Sequence, residues 1–192
     1  MCGIVGVFEL KAGDDVEAVR RRAVACSSKQ RHRGPDWSGV FASAGAVLAH
    51  ERLAIVGIHG GAQPIRSSDG ALALCVNGEI YNHRELAAEL PAPYDFVGES
   101  DCEVINAIWR SYGPEAVARL NGIFAFALWD AAQQRYLIAR DPMGVCPLYY
   151  GRDAEGRLWV ASEMKALVGV CTTIAPFPPG HLLDSAEGTI RP

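Results

Sequence analysis

The chain opens MCGIVGVF, with a cysteine directly behind the methionine. A thiolate is a strong nucleophile, but a free cysteine has a pKa near 8.5 and needs a base and an oxyanion stabiliser to act as one. At position 2 the base is close at hand. Removing Met1 would give Cys2 an α-amino group with a pKa of roughly 7.7–8.0, within reach of its own thiol. The competing reading makes Cys2 a small hydrophobe in a first strand. Other residues have the chemistry to complete a site. Asn77-Gly78 offers a side-chain amide and a backbone N–H as oxyanion donors, although Asn-Gly between two apolar runs also reads as a two-residue hairpin turn. Arg52, in HERLAIV, is either a surface arginine or a clamp for a carboxylate. Glu79 and Asp101 could each receive an ammonium, and Asp101 could equally favour the first turn of a helix. His50 and Glu51 read as solvated strand residues, and Glu85 as a helix cap.

Several chemistries are excluded or disfavoured. The five histidines form no HExxH or HxH cluster, and the six cysteines no CxxC pair, so a metal site is not expected. GIHGGAQPI has glycines but no Lys-Ser/Thr, which argues against a phosphate-binding loop. A net charge of −4 gives no electrostatic case for nucleic acid or an anionic membrane. No apolar run reaches membrane-spanning length, and no basic segment precedes an apolar one at the start. The expected location is cytoplasmic, with reduced thiols.

These residues need a scaffold. At 192 residues, 49% hydrophobic and 21% charged, the chain has the composition of a globular domain with a sizeable core. CGIVGVF reads as a strand. Residues 14–30 read as an amphipathic helix with Val16, Val19, Ala23 and Cys26 on one face. RHRGPDWSG reads as a loop, AGAVLAHERLAIVG as two short strands, and ALALCVNGEIYN as a strand, a turn and a return. Asn82 with Glu85, and Ser100 with Glu103, have capping-box spacing. The second box precedes a helix striped with Val104, Ile105, Ile108, Trp109 and Tyr112, which Gly113-Pro114 ends. IFAFALWD, RYLIAR, PLYYG and RLWVASE read as antiparallel hairpins. Two helices among some eight strands imply an α+β layered domain.

Read together and in order, CGIVGVF, RHRGPDWSG, HERLAIV, GAQP, NGEIYNHREL, SDCEVI, FAFALWD, RDPMGVCPLYYG and SEMKAL resemble the glutaminase domain of glutamine-dependent asparagine synthetases. These are class II glutamine amidotransferases with the N-terminal-nucleophile hydrolase fold. The resemblance covers nearly all of the chain. It implies an αββα sandwich, two stacked antiparallel sheets between helical layers. It also implies roles: Cys2 as nucleophile, with its free α-amine as base; Asn77 and Gly78 as oxyanion hole; and Arg52 on the glutamine α-carboxylate. Leu53, Ala54, Ile55 and Val56 would form the wall offering backbone groups, and Glu79 and Asp101 would lie near the α-amino group. The implied substrate is L-glutamine, and the implied ammonia acceptor an ATP-dependent synthetase domain that makes asparagine from aspartate. That domain, with its ATP and Mg, is expected outside residues 1–192, and this chain is expected to carry no cofactor. The resemblance is compatible with a homodimer. It leaves open a synthetase with another acceptor, or a non-catalytic interaction module of the same fold.

Overall fold

The computed structural model describes residues 1–54 and 63–192. Strand β1 (Gly3–Phe8) leads into helix α1 (Val16–Ser28), then β2 (Trp37–Ala42), β3 (Ala46–Arg52), β4 (Ile65–Arg66) and β5 (Leu72–Ile80). Helix α2 (His83–Ala88) and a 3₁₀ turn (Asp101–Glu103) precede helix α3 (Val104–Tyr112) and a second 3₁₀ segment (Gly113–Arg119). Strands β6 (Gly122–Asp130), β7 (Arg135–Arg140), β8 (Tyr149–Arg152) and β9 (Leu158–Ala161) follow, then helix α4 (Met164–Leu167). The short strands β10 (Thr173–Pro176), β11 (Leu182–Asp184) and β12 (Ile190–Arg191) finish the chain.

The strands form two six-stranded sheets, one in the order β10-β8-β9-β1-β3-β2 and the other β12-β11-β7-β6-β5-β4. Every pairing within them is antiparallel. Alternation along each strand sends successive side chains to opposite faces, and here both faces are covered. In β1, Ile4 and Phe8 point into the gap between the sheets, while Val5 and Val7 meet Val19, Ala23 and Cys26 of α1. In β6, Ala125, Ala127 and Trp129 face the gap, while Phe124, Phe126 and Leu128 pack under Ile105, Ile108 and Trp109 of α3. Three apolar layers thus separate four layers of structure, the αββα sandwich. Phe8 stacks on Tyr136 at 4.5 Å between ring centroids, joining the sheets across the gap. No helix among the described residues is long and apolar enough to cross a membrane.

Several local expectations are corrected. Asn77-Gly78 is not a turn: β5 runs through it, paired with β6 from Leu72↔Asp130 to Ile80↔Gly122. The loop expected at 31–39 ends early, because Trp37–Gly39 already pair with β3. His50 and Glu51 are not solvated but 1% and 4% exposed, because β3 lies between β1 and β2. Glu51 is held there by the Ser27 and Ser38 hydroxyls and by Arg31. Neither capping box closes. Asn82 makes no cap bond; it donates to the Arg119 carbonyl and accepts from Asn121 N–H. Ser100 does cap, accepting from Cys102 N–H, but Glu103 turns to Val97 and Gly98 N–H. The twelve strands among the described residues exceed the eight expected; β4 and β10–β12 are short and carried no apolar run.

Candidate active site

A pocket opens where the first strand of one sheet meets the edge of the other. Cys2, Arg52, Leu53, Asn77, Gly78, Glu79 and Asp101 all line it, so seven of the residues singled out from sequence converge there. Each is placed by its element. Cys2 precedes β1, whose pairing with β3 sets Gly3 opposite Glu51 and so brings Cys2 beside Arg52 and Leu53. The Leu53 N–H donates to Cys2 Sγ at 3.4 Å, and the thiol points to the Leu53 carbonyl at 3.7 Å. Arg52 is 8% exposed and lines the pocket, so the surface-arginine reading falls.

Strand β5 supplies the opposite wall. Its inward residues Ala73 and Cys75 lie in the intersheet layer, and Asn77 continues that alternate set. Asn77 is 1% exposed, and neither its Oδ1 nor its Nδ2 has a hydrogen-bond partner among the described residues. A buried unpaired amide costs about 1–3 kcal/mol, so this one stands out as a group reserved for a ligand. The backbone of β5 alternates too. Tyr81 N–H bonds to Asn121 on the β6 side. Leu72, Val76 and Ile80 N–H groups point the other way, to Ser67 Oγ at 2.9 Å, Gln63 Oε1 at 2.9 Å and Asp101 Oδ2 at 2.6 Å. Gly78 belongs to this outward set, so its N–H faces the β4 side of β5, beyond the two residue pairs that β4 makes, where the pocket lies. Its φ is 155°, and a Cβ there would sit 2.0 Å from the Ile123 carbonyl oxygen; only glycine fits. The Cys102 thiol donates to the Gly78 carbonyl at 3.6 Å and steadies that peptide.

Burial pushes the Cys2 thiol above its ordinary pKa, although the Leu53 N–H, the terminal ammonium, Arg52 and Arg33 pull it down. The thiol is therefore protonated at neutral pH and needs a base. The other pocket cysteines are weaker nucleophiles still. Burial pushes Cys146 to about 11 and Cys102 well above its ordinary value. Among the described residues, no group of three His, Cys, Asp or Glu could hold a metal ion.

Three of the expected residues stand apart. Ala54 does not line the pocket, and its N–H is taken by Asp36 Oδ2 at 2.8 Å. Ile55 and Val56 lie outside the described residues. The pocket also includes Met1, Gln63, Val76, Ser100, Cys102, Ile123 and Cys146. Gln63, Ser100, Cys102 and Cys146 lie inside motifs noted in the sequence; the cap formed by Ser100 was legible there, but the backbone contacts of Gln63, Cys102 and Cys146 are not revealed by residue type. Val76 and Ile123 carry no signal beyond the apolar pattern of a strand.

A cysteine at a strand entrance thus faces, across the gap between two sheets, a glycine edge and a buried amide that has no partner among the described residues. The chain belongs to the glutamine amidotransferase domain family, which it matches over residues 1–186. Along its whole length it is 53% identical to asparagine synthetase B [glutamine-hydrolyzing] of Escherichia coli K12, of which it covers 34%. It is 48% identical over 99% of its length to asparagine synthetase [glutamine-hydrolyzing] 1 of Saccharomyces cerevisiae, covering 33% of that protein. The chain thus spans about a third of these relatives. A solved glutamine phosphoribosylpyrophosphate amidotransferase from B. subtilis superposes with a TM-score of 0.74 at 22% identity, over 99% of this chain and 48% of that one. That likeness shows a shared fold.

Proposed function

We propose that this chain hydrolyses L-glutamine to L-glutamate and ammonia, with Cys2 as nucleophile after Met1 is removed. We propose further that the ammonia passes to an ATP-dependent synthetase domain that forms asparagine from aspartate. The observation that carries the first part is the convergence of the Cys2 thiol, the unpaired Asn77 amide and the Gly78 edge on one pocket. The second part is supported by the full-length likeness to the asparagine synthetases above.

In this reading the Cys2 α-amine takes the thiol proton, directly or through one water. Sulfur then bonds to the side-chain amide carbon of glutamine. The carbonyl π electrons move to oxygen, and the oxyanion is held by Asn77 Nδ2–H and Gly78 N–H, donors preorganised by β5. As the C–N bond breaks, the α-ammonium returns its proton to the departing nitrogen, which leaves as ammonia. Water adds to the thioester, the C–S bond breaks, and glutamate departs with the thiol restored. Arg52 pairs with the substrate α-carboxylate as a fork. Glu79 and Asp101 face its ammonium; Asp101 Oδ2 is occupied by Ile80 N–H, which leaves Oδ1 for the substrate.

The test is a glutaminase assay on chain shown by intact mass to begin at Cys2. Hydrolysis is expected, with Cys2→Ala slower by at least about 10³-fold. Chain that retains Met1 should also be slow, because the Cys2 nitrogen is then an amide and Met1 itself lines the pocket. Wild-type turnover by Cys2→Ala would refute the reading.

A further inference from the structure

Among the motifs left without a role by the mechanism above are RHRGPDWSG and SEMKAL. In the structure they meet at the backbone of residues 2–4. Arg33 Nε–H donates to the Cys2 carbonyl at 2.9 Å. The same guanidinium, through Nη1, pairs with Glu163 Oε1 at 3.1 Å. This pair is well sheltered, with the two side chains 13% and 21% exposed. Two further bonds fix Ile4, two residues on. Ser162 Oγ accepts from Ile4 N–H at 3.0 Å, and Gln30 Nε2–H donates to the Ile4 carbonyl at 3.1 Å. Gly3 lies so close to Gln30 that a Cβ on it would sit 2.8 Å from the Gln30 Cβ. The segment carrying the nucleophile is therefore gripped from both sides, by the end of α1 and by the residues leading into α4.

We propose that Glu163 is a positioning residue for the Cys2 nucleophile: its carboxylate holds the Arg33 guanidinium, and Arg33 in turn holds the Cys2 carbonyl. This rests on the reading of Cys2 as nucleophile. The Cys2 carbonyl is one bond from the Cα that carries both the thiol and the α-nitrogen. Fixing it sets the direction in which sulfur approaches the amide carbon and the placement of the amine that takes its proton. Near-attack geometry is sensitive on this scale, since an error of about 1 Å can cost on the order of 10²-fold. An arginine released from its carboxylate is a long side chain with several rotamers, and its hold on one carbonyl is weakened. Glu163 suits the task because it carries other partners as well. His32 Nε2 lies 2.9 Å from Oε1, and Lys165 Nζ lies 3.0 Å from Oε2, so the carboxylate is itself pinned. Together these neighbours hold it below the usual carboxylate range despite its partial burial.

The experiment uses mature chain and compares Glu163→Ala, Glu163→Gln, Arg33→Ala and the double variant Arg33→Ala/Glu163→Ala. Glu163→Ala should lower kcat for glutamine by about 10- to 100-fold, with KM within about twofold, because the substrate clamps of Arg52 and Asp101 are untouched. Glu163→Gln keeps an oxygen for Nη1–H and should recover part of the loss. The double variant should be no slower than Arg33→Ala alone, since Glu163 acts through Arg33. Additive losses in the double variant, or a folded Glu163→Ala with wild-type kcat, would overturn the proposal. The rate of Cys2 alkylation by iodoacetamide is read on the same samples. Should wild-type chain hydrolyse no glutamine, the proposed function fails by itself. The alkylation rates then decide this inference: slowing in Glu163→Ala with non-additivity in the double variant upholds it, and unchanged rates overturn it.

Discussion

Asn77 holds a buried amide that has no hydrogen-bond partner among the described residues. On the proposed mechanism, that cost is the counterpart of preorganisation for charge that develops only in the transition state. Asn77→Ala should therefore lower kcat for glutamine by on the order of 10²–10³-fold while KM changes little. Steady-state glutaminase kinetics check this, and a rise in KM at constant kcat would assign Asn77 to ground-state binding instead. The chemistry of this residue was legible in the sequence, but its conformation was not. Asn-Gly between apolar runs carries the local signal of a hairpin turn, and nothing within ten residues says that β6 pairs straight through it. The same limit applies to Arg33. Its guanidinium serves a backbone carbonyl, and residue type does not encode which backbone a side chain will reach.

At the level of elements, the outward edge of β5 is where strand geometry becomes function. Side chains of Ser67, Gln63 and Asp101 terminate its N–H groups in place of a long neighbouring strand, and Gly78 lies between the Gln63 and Asp101 contacts, on the pocket wall. Gly78→Ala should therefore fail twice. Its Cβ would lie 2.0 Å from the Ile123 carbonyl oxygen, so the β5–β6 ladder must spread and the chain should lose roughly 1–3 kcal/mol of stability. The displaced N–H would also slow hydrolysis by about 10²-fold or more in whatever fraction stays folded. Urea denaturation and the rate per folded molecule measure the two effects separately, and a wild-type midpoint would contradict the first. Long apolar strands such as β1, β6 and β7 were readable because a run of β-branched and aromatic residues has few other uses. The strands β4 and β10–β12 were not. They are two to four residues long, β10 ends at a proline, and pairing with neighbouring strands is what makes them strands.

For the molecule as a whole, the four-layer stack explains both what the sequence revealed and what it concealed. A strand covered on both faces loses the apolar–polar alternation that marks a half-buried sheet. Periodicity therefore implied layers, and only the family likeness implied four of them. HERL shows the cost to local reading. Three polar residues in a row suggest solvent, but β3 lies between β1 and β2, and the alternation that sends Ala46 and Leu48 into the intersheet layer sends His50 the same way. His50 is 1% exposed, with no hydrogen-bond partner for either ring nitrogen among the described residues. Burial, with a smaller contribution from the Arg52 charge, lowers its pKa from 6.5 to about 3. The sign of the consequence is set by linkage. Above pH 6.5 the ring is neutral in the folded and unfolded chain alike, and it adds no pH dependence. Below 6.5 the unfolded chain takes up a proton that the folded chain refuses, so stability falls as pH falls, down to about 3. The slope approaches about 1.4 kcal/mol per pH unit, or roughly 1–2 kcal/mol between pH 6.5 and 5. A chain with His50→Leu, apolar and of similar bulk, should lose that part of the slope. Urea midpoints at pH 7 and pH 5 for both chains provide the check, and parallel pH dependences would show that the ring reaches a proton without opening the gap between the sheets.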